Sequence, residues 1–252
     1  MIEIPSFNEL IEKSIVNNWD KDALTDFKGA TLQYHDVARK IEKLHIMFES
    51  SGVQRGDKIA LCGRNSSNWA VAFLATLTYG AVAVPILHEF TADQIHNIVN
   101  HSEAKLLFVG DYVATIIDQT KMPDLEGIIY IPDYSLVVSR TDKLTYAREH
   151  LNAMFGEKYP KFFRKEHVHY YREQSPEELA LINYTSGTTG FSKGVMIPYR
   201  AMWSNYDFAM TAVAKHIKKG DNVISSLARA HMYGVAFEFL FELLFGCHVF
   251  YR

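Results

Sequence analysis

Lys58-Ile59-Ala60-Leu61-Cys62, the connection Gly63-Arg64-Asn65-Ser66-Ser67-Asn68, the run Trp69-Ala70-Val71-Ala72-Phe73-Leu74-Ala75-Thr76-Leu77-Thr78-Tyr79, and Gly80-Ala81-Val82-Ala83-Val84-Pro85 together decide the fold. Gly56-Asp57 predicts a turn into 58–62, a short strand with apolar residues on both faces. Asn65 through Asn68 offer several N-cap side chains, and 69–79 is apolar nearly all round, which predicts a central helix. The chain then returns through 81–85 as a second buried strand. Strands apolar on both faces, separated by a helix, are the pattern of neighbours in a covered parallel sheet.

The same alternation extends both ways. Phe7, Leu10, Ile11, Ser14 and Ile15 fall at helical spacing. Thr31-Leu32-Gln33-Tyr34 reads as a short strand or as the approach to a helix lined by Val37, Ile41, Leu44 and Phe48, with Gly52 as its stop. Downstream, Thr91 and Gln94 form a capping-box pattern ahead of Ile95, Ile98 and Val99. Residues 105–109 and 127–131 are strand-like. The span 133–176 is less regular and richer in charge, with a helix expected over 144–155. Order resumes at Glu178, and 179–184 reads as a buried strand. The prediction is an α/β fold, a mostly parallel sheet flanked by helices; strand order does not follow from the sequence, and no internal repeat is evident.

Composition narrows the function classes. The 252 residues are 48% hydrophobic and 22% charged, with net charge −3, which fits a globular chain and gives no global field for nucleic acid or an anionic membrane. Basic and aromatic residues interleave over 158–165, but one short patch in a mildly acidic chain reads as a solvated face. Cys62 and Cys247 lie inside apolar runs far apart and predict reduced, buried thiols of an intracellular protein. Met1-Ile2-Glu3-Ile4-Pro5 does not resemble a signal peptide. The apolar stretch 69–87 contains Gly80 and Pro85 and reads as helix, turn and strand, not as a membrane span.

After the 179–184 strand comes Thr185-Ser186-Gly187-Thr188-Thr189-Gly190-Phe191-Ser192-Lys193-Gly194, followed by apolar Val195-Met196-Ile197. Three glycines permit close backbone approach to a bulky anion, five hydroxyls supply donors, and Lys193 adds a flexible point charge. These groups suit a polyphosphate whose leaving group needs charge stabilisation. The residues alone also allow a polar turn between two strands. The spacing matches neither the mononucleotide P-loop nor the dinucleotide fingerprint.

Tyr184 through Val195 closely resembles the signature loop of the adenylate-forming superfamily, which comprises acyl-CoA synthetases, luciferases and the adenylation domains of peptide synthetases. Ser192 stands where that family usually has proline. The resemblance continues through Thr31-Leu32-Gln33-Tyr34, through Gly52 to Ala60 with Asn65-Ser66 and Trp69, and through Leu77 to Pro85. Leu227-Ala228-Arg229-Ala230-His231-Met232-Tyr233-Gly234 with Glu238-Phe239 is similar to the acyl-pocket segment, most like that of long-chain fatty acid–CoA ligases, although Ala228 replaces a usual proline and Arg229 an apolar residue. By itself His231 reads as a packed or capping histidine; the resemblance makes it an acyl-pocket residue. It is not a general base, because a carboxylate nucleophile is already ionised near neutral pH.

The resemblance implies the N-terminal part of the family's large domain over 1–252, with about 1–175 as a first α/β portion and 176–252 carrying the phosphate loop and the start of the acyl pocket. It implies ATP, Mg2+, a carboxylic acid and, as thiol co-substrate, CoA. Lys193, Ser186, Thr188 and Thr189, with the amides of Gly187 and Gly190, are expected to hold the β- and γ-phosphates, and Thr185 to help place magnesium. The 252 residues contain no Tyr-Gly-x-Thr-Glu segment and end at Arg252, so the expectation is a parent ligase, cytoplasmic or in peripheral contact with a membrane, whose 252-residue portion is inactive alone. A non-catalytic nucleotide-binding or interaction module, or an adenylating enzyme for another acid, are the alternatives. The remaining histidines show little order. His88 with Glu89, and His96 with His101, lack zinc-site spacing. His167 and His169 would share one face of an extended segment without an evident third ligand.

Overall fold

The strand, helix and strand of the opening stretch form as local chemistry dictates. In the computed structural model, which describes residues 5–185, 193–228 and 230–251, the first elements are α1 (Phe7–Asn17), β1 (Asp22–Asp26), β2 (Thr31–Gln33) and α2 (Tyr34–Ser51). Next come β3 (Lys58–Cys62), α3 (Ser67–Tyr79) and β4 (Val82–Ile86). The Ser66 hydroxyl accepts from the Trp69 amide at 3.1 Å and starts α3. Gly80, at φ 87°, ends it in the left-handed region that glycine adopts without a steric penalty. Two threonines are tolerated in this buried helix because each hydroxyl donates within it, Thr76 to the Ala72 carbonyl at 2.8 Å and Thr78 to that of Leu74 at 2.6 Å.

The chain continues through α4 (Ala92–Ser102), β5 (Ala104–Val109), α5 (Asp111–Ile116), β6 (Gly127–Tyr130) and β7 (Leu136–Ser139). Thr91 and Gln94 form the expected capping box of α4. The helix expected over 144–155 is two helices, α6 (Asp142–Glu149) and α7 (Leu151–Lys158). The break falls at His150, whose ring stacks on Tyr146 at 4.1 Å and whose Nδ1 lies 3.0 Å from the Tyr146 carbonyl, an acceptor it shares with its own backbone amide. His167 lies in a 3-10 turn, Lys165–His167, and its Nδ1 accepts from the Arg164 amide; it does not share an extended face with His169. The basic patch is partly anchored: Lys158 and the Tyr159 hydroxyl both reach buried Glu42, at 2.7 and 2.8 Å, while Phe162 stays exposed.

The last described elements are β8 (Leu179–Thr185), β9 (Lys193–Pro198), α8 (Tyr199–Ala212), β10 (Asn222–Ser225), α9 (Met232–Val235), a π-helical turn (Ala236–Leu240), α10 (Phe241–Phe245) and β11 (His248–Tyr251). A seven-stranded sheet runs β7-β6-β5-β3-β4-β8-β9, parallel from β6 to β8 and antiparallel at both edges. From β3 the chain steps to β4 on one side and then crosses to β5 on the other, so the order reverses at β3. One face packs on α2 and α3, the other on α4. A second sheet, β10-β11-β1-β2, was not anticipated; β1 pairs with β11 across most of the chain. Both sheets therefore draw strands from either side of residue 176.

Buried polar contacts bind these distant parts. The Tyr34 hydroxyl sits 2.9 Å from the carbonyls of Leu243 and Cys247, and Ser14 donates to Leu243 at 2.8 Å. Cys62 and Cys247 are both buried and free. Among the described residues no helix is long and apolar enough to cross a membrane.

Candidate functional site

Strand alternation puts Asn183 and Thr185 on one face of β8 and Ile182 and Tyr184 on the other. β8 ends at Thr185 and β9 begins at Lys193, and these two residues are cross-strand partners. The mouth of the hairpin is thus closed by one hydroxyl and one ammonium, both exposed. It lies at the carboxyl end of the parallel strands, where open α/β sheets bind ligands. No ion pair joins Lys193 to a carboxylate among the described residues. Ser186, Gly187, Thr188, Thr189 and Gly190, with Phe191 and Ser192, lie outside the described residues, as does Arg229.

Below the mouth, Tyr184 is paired directly with Gly194. A Cβ at 194 would stand 2.9 Å from Ile182 Cγ2 and 3.1 Å from Tyr184 Cζ, so only glycine admits the tyrosine ring against the strand. Burial raises the Tyr184 phenol above its usual range. That hydroxyl lies 2.7 Å from Nδ1 of His101 on α4.

On the opposite face, the buried Asn183 amide donates to the Ala230 carbonyl at 2.7 Å and ties the 226–231 segment to the phosphate-loop strand. Glu238 closes the segment from the other side: one carboxylate oxygen accepts from the amides of Ser226 and Leu227, each at 2.8 Å. The π-helical turn makes this possible, for it aims Glu238 at the segment while Phe239 is fully buried against Phe73. Asn65, after β3, donates to the Leu227 carbonyl at 2.7 Å. His231 itself is exposed, at the start of α9, with its amide bonded to the Ala228 carbonyl at 3.0 Å.

Asn65 also lines a cavity of about 440 Å³ at the carboxyl ends of β3 and β5, together with Asp26, Arg64, Ser66, His88 and Asp111. Its size is that of a small-ligand pocket. Among the described residues, no group of three His, Cys, Asp or Glu side chains is placed to hold a metal ion.

The structure therefore links Thr185, Lys193 and the segment bearing His231 through β8. Sequence reasoning singled out those three residues, read Asn65 only as a candidate helix cap within the family resemblance, and assigned no role to Asn183 or His101. Asn183 carried a signal, a polar residue within an otherwise apolar strand and two places before Thr185. His101 carried none, because its partner is 83 residues away.

Comparison with known proteins agrees with this geometry. A family model described as AMP-binding enzyme matches residues 11–252. Long-chain-fatty-acid–CoA ligase 1 of Cavia porcellus is 27% identical over 224 residues, covering 83% of this chain and 31% of the relative. The 4-chlorobenzoate–CoA ligase of an Arthrobacter species is 26% identical over 223 residues, covering 86% and 38%. An inhibitor-bound N-terminal domain of FACL13 from Mycobacterium tuberculosis superposes with a TM-score of 0.78 at 19% identity, covering 98% of this chain and 57% of that one, and shows the shared fold. The chain spans roughly a third of the length of the curated relatives it matches.

Proposed function

The chain belongs to the AMP-binding enzyme family of adenylate-forming acid–thiol ligases, and on that premise we propose that it supplies the ATP-phosphate hairpin and one wall of the acyl pocket of a fatty acid–CoA ligase. The observation that carries the reading is the pairing of Thr185 with Lys193 at the carboxyl end of the sheet, with the lysine exposed and free of a carboxylate among the described residues. A hydroxyl and an ammonium side by side at the strand ends fit a polyphosphate better than a neutral ligand.

In the reaction, a carboxylate oxygen attacks the α-phosphorus of ATP, the bond from that phosphorus to the bridging oxygen breaks, and pyrophosphate leaves. A thiol then attacks the acyl carbonyl and AMP departs. Lys193 holds the terminal phosphates and offsets the charge that develops on the leaving group. Magnesium, when bound, would neutralise phosphate charge, and Thr185 is the described residue that would hold it. His231 shapes the acyl site and moves no proton, since the nucleophile arrives ionised. Asn183 and Glu238 hold the His231 segment in register with the hairpin.

A fatty acyl substrate is favoured by the His231 segment with Glu238-Phe239; the two relatives above carry names for a long-chain and an aromatic acid. The test is acid-dependent exchange of labelled pyrophosphate into ATP, across acids from benzoate to palmitate. It is run on the 252-residue chain and on any longer polypeptide that contains it. The reading expects exchange with fatty acids in the longer polypeptide and little or none from the 252 residues alone. ATP binding without exchange in the longer polypeptide would sink ligation and leave a nucleotide-binding module.

A further inference from the structure

We propose that His101 is a positioning residue for the phosphate-binding hairpin, acting through Tyr184; this rests on reading that hairpin as the ATP-phosphate site. Tyr184 is the last residue of β8 before Thr185 and is almost fully buried. Its ring lies over Gly194, and Gly194 follows Lys193 directly. The position of the Tyr184 ring therefore sets the approach of β9 to β8 at the point where Lys193 emerges.

Two features of His101 hold that ring. The hydroxyl of Tyr184 and Nδ1 of His101 are 2.7 Å apart, joined by a hydrogen bond whose direction the histidine tautomer sets. The two rings also meet edge to face, at 5.8 Å and 87°. His101 lies in the last turn of α4, a helix fixed at its start by the Thr91–Gln94 capping box and packed through Ile95, Ile98 and Val99. The clamp runs from a rigid helix, through one side chain, to the base of the hairpin. Held together, Thr185 and Lys193 meet phosphate without first being ordered, which is where positioning contributes to binding.

The test compares binding of MgATP, magnesium pyrophosphate and AMP to the full chain and its variants. His101→Ala and Tyr184→Phe should each weaken MgATP and pyrophosphate about fivefold or more, while AMP changes less than about twofold. The double variant should be no worse than either single one. His101→Asn, which keeps a polar atom near the place of Nδ1, should restore binding to within about twofold. The proposal is overturned if His101→Ala leaves ATP and pyrophosphate unchanged, if AMP weakens in parallel, or if the two losses multiply. Failure of the unsubstituted chain to bind either phosphate ligand overturns the hairpin reading and this inference with it. Normal binding that ignores His101 overturns this inference alone.

Discussion

Lys193 and His45 show how the same chain treats two basic side chains. Lys193 is exposed at the first position of β9, where a ligand can reach it. His45 belongs to α2, its Nε2 lies 3.1 Å from the Ala75 carbonyl and 3.0 Å from the Thr78 hydroxyl, and burial lowers its pKa to about 4. The unfolded state protonates this ring near 6.5 and the folded state does not until about 4. Stability from His45 is therefore fully present above pH 6.5 and is lost as pH falls toward 4, a change of about 1–3 kcal/mol. Chemical denaturation at pH 7 and pH 5 checks this. The unsubstituted chain should lose more stability between the two than His45→Gln, and equal losses would show that the ring is not buried neutral.

At the scale of elements, what the sequence revealed was what neighbours in sequence determine. The Thr91–Gln94 box, the Ser66 cap, the Gly52 and Gly80 stops and the apolar strands 58–62 and 81–85 each act within a few residues. The break at His150 was not legible, because a histidine mid-helix gives no warning that its ring will stack on Tyr146. The Lys165–His167 turn was hidden for a similar reason: its register depends on a side chain accepting from a backbone amide. Gly80 combines both kinds of constraint. Its φ is +87°, and a Cβ there would lie 2.7 Å from Tyr171 Cδ1, whose ring also carries the Arg55 guanidinium at 4.5 Å. Gly80→Ala is expected to cost about 1–3 kcal/mol, from left-handed backbone strain and overpacking together. Thermal unfolding reads it directly, and an unchanged midpoint would contradict the assignment of the stop.

The whole molecule is held together by pairings no local pattern announces. β1 is short and half polar, and it becomes a strand because β11 lies beside it, Leu24 opposite Val249 and Asp26 opposite Tyr251. Tyr34 reinforces the join through the carbonyls of Leu243 and Cys247. Of the candidate site, Thr185 and Lys193 stood out by residue type and position in the glycine-rich loop, and His231 only through its resemblance to the family's acyl-pocket segment. The bonds that unite them, from Asn183 to Ala230, from Asn65 to Leu227 and from Ser226 and Leu227 to Glu238, were not legible, because they work across the fold. Residues 1–175 expressed alone should accordingly fail to unfold cooperatively, since β1 loses β11 and β4 loses β8. A sharp two-state transition from that piece would show the two sheets to be separable. The central claim is that the β8–β9 hairpin binds the phosphates of ATP, and calorimetric titration of magnesium pyrophosphate into the chain and into Lys193→Ala tests it most directly. The account predicts binding that weakens at least about tenfold on loss of the ammonium, with stability changed by less than about 0.5 kcal/mol; no binding by the chain, or equal binding by both proteins, would contradict it.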